Sequence, residues 1–145
     1  MSLVEEFLTT NEEQQIIDAI KSAEDHTSGE IRVHIENSSE KPPLERAKEV
    51  FCYLKMNETK LQNGVLFYVA VDSHQFAIYG DKGIYEQVPH NFWDDEKDLV
   101  INHFSKKQNA KGLVLAIEKV GEKLKELYPV TIDNSNELSN EISKG

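Results

Sequence analysis

Asn63-Gly64-Val65-Leu66-Phe67-Tyr68-Val69-Ala70-Val71, then Asp72-Ser73-His74, then Phe76-Ala77-Ile78-Tyr79-Gly80, is the stretch that decides the fold. Asn-Gly is a turn pair. The run 65–71 behind it is apolar at every position, which suits a central strand covered on both faces. Asp72-Ser73-His74 is a tight polar turn. Phe76 and Ile78 alternate with Ala77 and Tyr79, which gives another strand ending at Gly80. A turn of about three residues makes the two strands antiparallel.

Upstream, Ile31, Val33 and Ile35 alternate with Arg32, His34 and Glu36. Period two predicts a strand over 30–36. Pro42 and Pro43 break the chain and can open a helix. Leu44, Ala47, Val50, Phe51 and Leu54 then form one helical stripe to about Lys55. Two strands joined through a long helical crossover run parallel, with a right-handed connection. At the amino end, Thr10-Asn11-Glu12-Glu13 reads as a capping box, with Thr10 as N-cap. Ile16, Ile17, Ile20 and Ala23 continue it as a helix stopping near Ser28-Gly29.

Downstream, Ile84 to Val88 reads as a short helical turn, and Asn91 caps a helix to about Phe104. A last helix runs from about Ala110 to Leu127, before Pro129. The expected architecture is α/β, a small mixed sheet whose central strand is covered by helices on both faces. Residues 1–130 form its single domain, and 131–145 are a disordered polar tail, since Asp133 onward is rich in Asn, Ser and Glu.

Connectivity alone brings three loops to one end of the sheet. The third strand ends where the first two begin, so 27–30, 61–64 and Gly80-Asp81-Lys82-Gly83 converge, with the helix start 92–95 close behind.

The 145 residues carry 26 acidic and 16 basic side chains, for a net charge of -10. That balance argues against nucleic acid and against docking on anionic membranes. The lone Cys52 cannot form an internal disulfide, and its place in a helical stripe suits an inert thiol. No apolar run approaches the ~20 residues that cross a bilayer, and no secretion signal is legible at the amino end. A cytoplasmic monomer is expected.

The segments Ser28-Gly29-Glu30-Ile31, Ala47 and Phe51, Asn63-Gly64-Val65-Leu66, Tyr79-Gly80-Asp81-Lys82-Gly83-Ile84 and Trp93, in that order and spacing, resemble the TPM domain family. The resemblance spans roughly residues 10–128. It implies a Rossmann-like three-layer α/β/α sandwich, calcium or another divalent cation in a cleft, and weak acid phosphatase activity in some members. Others serve in maintaining membrane protein complexes. Many members also carry a secretion signal and a membrane anchor, patterns not read in these residues.

Asp81 is the first candidate ligand. Flanking glycines let the backbone bend and expose a short carboxylate, and hard cations take oxygen ligands. The plainer reading is that Asp81 closes a turn through its own backbone. Glu30, at the same end, is a second candidate, against a solvated strand-start carboxylate. Asp94 and Asp95 are further candidates, although acidic residues in a first helical turn are explained by the helix dipole. Asn63 can offer an amide oxygen but is first a turn residue, and Trp93 suits a core or cleft wall.

Catalytic signatures are missing: there is no Gly-x-x-x-x-Gly-Lys, His-Glu-x-x-His or Gly-x-Ser-x-Gly. Arg32 and Arg46 are the only arginines, which is thin for a phosphate clamp. The expectation is therefore a divalent-cation-binding module with little catalysis and an unidentified protein partner. The alternative is a metal-assisted phosphomonoesterase.

Overall fold

The computed structural model describes residues 3–130 and 141–145. In chain order its elements are α1 (Leu3–Phe7), α2 (Thr10–Glu24), β1 (Glu30–Glu36), α3 (Pro43–Tyr53), a 3-10 turn (Met56–Glu58), β2 (Gly64–Ala70), β3 (Gln75–Gly80), α4 (Lys82–Tyr85), α5 (His90–Ser105), α6 (Asn109–Leu127) and β4 (Ser143–Lys144).

The sheet order is β3-β2-β1-β4. β1 runs parallel to β2, with Glu30 opposite Gly64, and β3 runs antiparallel to β2, with Gly80 opposite Val65. Every residue of β2 is buried, as a strand covered on both faces requires. Val65, Phe67 and Val69 join Ile31, Val33 and Ile35 in the core under α2, α5 and α6. Leu66, Tyr68 and Ala70 pack with Ala47, Val50, Phe51 and Met56 under α3. The result is the expected three-layer α/β sandwich.

Several boundaries differ from the sequence expectation. The capping box sits one residue earlier. Thr9 accepts from the Glu12 amide, and the Glu12 carboxylate accepts from the Thr9 amide. α2 stops at Glu24, because Thr27 to Glu30 turn into β1. Pro89, not Asn91, precedes α5, since its fixed φ suits a helix start. Asp94 and Asp95 therefore lie in the second turn of α5, beyond the first-turn dipole argument. The amino end forms α1, which burying Val4 against the core explains.

The expected disordered tail falls mostly on residues 131–140, which lie outside the described residues. Its last residues differ from expectation. Ser143 and Lys144 pair in parallel with His34 and Ile35, and the Gly145 amide donates to the Ile35 carbonyl at 2.9 Å. Main-chain pairing holds this segment together with Ile142, which packs against the core, and an ion pair between Lys144 and Glu13. Among the described residues no helix is long and apolar enough to cross a membrane.

Candidate functional site

The three predicted loops do converge. The Glu30 amide donates to the Asn63 carbonyl at 3.4 Å, and the Asp81 amide donates to the Gly64 carbonyl at 2.9 Å. Glu30, Gly64 and Asp81 thus form a row across three strands. Buried Thr27 ties in α6: its hydroxyl lies 3.0 Å from the Leu124 carbonyl and accepts from the Gly29 amide. The Ser28 amide donates to the Tyr128 carbonyl at 2.9 Å. The sequence places Thr27 in the converging loop 27–30 but gives no sign of its tie to α6, and Tyr128 is marked only by Pro129 just past a helix end.

Asp81 caps α4. Its Oδ1 accepts from the Lys82 amide at 2.8 Å, the plainer role foreseen for it. Its Oδ2 is buried without a hydrogen-bond partner. Tyr79 and Tyr128 both feel this carboxylate. Burial raises the Tyr79 pKa and Asp81 raises it further. Burial raises that of Tyr128, a hydrogen bond with Gln87 opposes this, and Asp81 adds to it. Gly83 lies against the neighbouring loop: a Cβ there would come within 2.5 Å of the carbonyl oxygens of Leu61 and Gln62 and 3.0 Å of the Tyr128 hydroxyl. Trp93 is the wall expected of it, as a Cβ on Gly80 would meet its ring at 3.1 Å.

The other candidates are placed differently. Glu30 is 2% exposed and stands two strand spacings from Asp81, or about 10 Å. The nearest atoms above Gly64, between them, belong to Met56 and Phe51. Asp94 and Asp95 are exposed, and Asp94 lines, with His90 and Lys97, a cleft that adjoins the Asp81 cleft and shares Leu44, Ile78 and Tyr85 with it. The buried carboxylate of α5 is Glu96, whose Oε1 lacks a hydrogen-bond partner and whose pKa burial raises. Among the described residues no group of three His, Cys, Asp or Glu side chains is placed to hold a metal ion. Cys52 is exposed rather than buried.

A second polar cluster, unread in the sequence, occupies the opposite end of β1. Arg46 donates to both oxygens of buried Glu36, at 2.9 and 3.0 Å. The Tyr68 hydroxyl donates to Glu36, and His34 Nε2 lies 3.1 Å from it. Burial pushes the Glu36 pKa up, but the bonds from Arg46, Tyr68 and His34 outweigh it and hold the carboxyl down at about 2. This cluster spends its acceptors internally and serves as a clamp between β1, β2 and α3.

Three comparisons bear on what the chain resembles. The BA42 protein from the psychrophilic bacterium Bizionia argentinensis, solved by NMR, is 52% identical over the whole of both chains, with a TM-score of 0.90. The N-terminal domain of a P. gingivalis protein is 18% identical over 83% of this chain and 78% of its own, with a TM-score of 0.68. That of the cg2496 protein from Corynebacterium glutamicum is 17% identical over 81% and 74%, with a TM-score of 0.59. These last two share the fold alone. No curated protein matches. The TPM domain family model matches residues 4–123, and with that coverage the chain belongs to the TPM domain family.

Proposed function

We propose that this chain is a cation-binding module that takes calcium, or another hard divalent ion, at the Gly80–Gly83 loop, with little catalysis of its own. The observation that carries the reading is the Asp81 Oδ2, a buried carboxylate oxygen without a hydrogen-bond partner. Leaving such an oxygen alone is costly, and a hard cation relieves that cost. The Leu61 and Gln62 carbonyls beside Gly83 add neutral oxygen donors, so the donor set fits calcium better than zinc. Glu30, Asp94 and Asp95 do not complete a shell around Asp81, so water fills the remaining positions. An ion held by one carboxylate, carbonyls and water binds at the weak end of the calcium range, about 0.1–1 mM.

A phosphomonoesterase needs a cationic clamp beside the ion. Arg46 is engaged by Glu36 and Glu49 at the other end of β1, and no observation favours that reading here. Calcium titration followed by amide NMR tests the proposal. Shifts are expected first at residues 80–83, then at 61–64, and they should weaken strongly in Asp81→Asn while the apo spectrum is preserved. Shifts that survive this substitution, or none at all, overturn the reading. Metal-dependent turnover of p-nitrophenyl phosphate that vanishes in Asp81→Asn would instead establish the esterase.

A further inference from the structure

We propose a second binding site, at the end of the sheet opposite Asp81, for a small apolar monoanion such as a medium-chain carboxylate. A cleft of about 400 Å³ opens there, with Val69 in its floor and Phe7, Ile101 and Phe104 among its walls. Its volume falls in the range of small-ligand sites, which are mostly apolar with few polar groups. It adjoins the carboxyl end of β2, and crevices outside the carboxyl ends of parallel strands are where open α/β sheets take ligands.

The walls are aromatic in depth. Phe7 meets Phe104 edge-on at 5.4 Å, and Phe104 meets Phe76 at 5.8 Å. Ile101 remains 40% exposed, although its side chain is large and apolar.

Charge decides the ligand class. The chain carries a net charge of -10, and Asp81, Asp94 and Glu118 each line one of three other clefts. No carboxylate among the described residues lines this one, whose ionisable groups are Lys107 and His74. Both have left-handed backbones, with φ of 59° and 53°, and both side chains are exposed. Lys107 follows the end of α5 and His74 sits in the β2–β3 turn. Of the neighbouring polar side chains, Asn109 donates to the Phe7 carbonyl, Ser105 donates to the Asn102 carbonyl and Gln75 accepts from Ser73. An apolar body with one negative end fits such a cleft. A cation of the same shape meets Lys107 and no lining carboxylate, and a bare anion leaves the apolar walls wet.

The test is an amide NMR titration of the full chain with sodium octanoate, octylammonium and acetate, in EDTA so that the cation site plays no part. Octanoate should shift residues 69–75 and 101–109. Octylammonium should bind about tenfold more weakly, and acetate not measurably. Lys107→Gln, at an exposed position, should remove most of the difference between the two tails, and Ile101→Ser should weaken both. Equal binding of octanoate and octylammonium by the unsubstituted chain, shifts scattered over the surface, shifts that track self-association, or no shifts would overturn the proposal. The outcome is separate from that at Asp81, at the other end of the sheet.

Discussion

At Glu36, one buried carboxylate accepts from Arg46, Tyr68 and His34, and its pKa falls from an ordinary 4.5 to about 2. A carboxyl depressed in the folded state contributes stability that is present above the unfolded pKa. That contribution is lost as the pH falls from about 4.5 through about 2. Glu36→Gln keeps the shape and removes the charge, so it should cost roughly 2–3 kcal/mol at pH 7, the scale of hydrogen bonds to a charged group. Urea unfolding of both proteins across pH should show the gap narrowing below pH 4. A gap that stays constant to pH 2 would mean the charge is not what stabilises the clamp. In the sequence, period two at 31–36 placed Glu36 on a wetter face of its strand. It could not disclose that Arg46, ten residues later, and Tyr68, on another strand, close over it.

At the scale of an element, the start of α2 separates two readings one residue apart. Thr9, with Glu12, makes the reciprocal capping pair, whereas the sequence spacing of Thr10 and Glu13 satisfies the same rule. Thr9→Ala should therefore destabilise by about 1 kcal/mol and Thr10→Ala by much less. Thermal melts of the two variants decide between the registers, and equal losses would remove the assignment. The ambiguity is inherent to Thr9-Thr10 followed by Glu12-Glu13. Local chemistry allows both; the pair that forms is Thr9 with Glu12, which makes Thr10 the first helical residue. Pro89 at the start of α5 is the same kind of case, with a local stop signal serving as an entry.

At the scale of the molecule, the sandwich depends on β2 being covered on both faces. Phe67 is fully buried on the α2, α5 and α6 side, and Tyr68 on the α3 side. Phe67→Ala should cost about 3–5 kcal/mol, measured by denaturant titration at neutral pH. A loss well under 1 kcal/mol would mean that the helical layer over that face is not closed. The Asp81 loop and the cleft beside Phe104 lie at opposite ends of the sheet. Their ligand responses should be independent in the titrations described above.

The all-apolar run 65–71, the alternation at 31–36 and the short turn at 72–74 by themselves determined the parallel and antiparallel pairings, the three layers and the convergence of the loops at Asp81. Those features follow from periodicity and connection length, which are properties of neighbouring residues. Only the tertiary structure decided that Met56 and Phe51 lie over Gly64, between Glu30 and Asp81, that Asp94 lines an adjoining cleft, and that Asp81 keeps one oxygen without a hydrogen-bond partner. It also decided that Ser143 and Lys144 add a strand to β1. Each of these depends on side chains or main chain far apart in sequence meeting at a few ångströms. A residue's own neighbours place it on an element, while its partners across the fold set which of its atoms are satisfied and which remain open to a ligand.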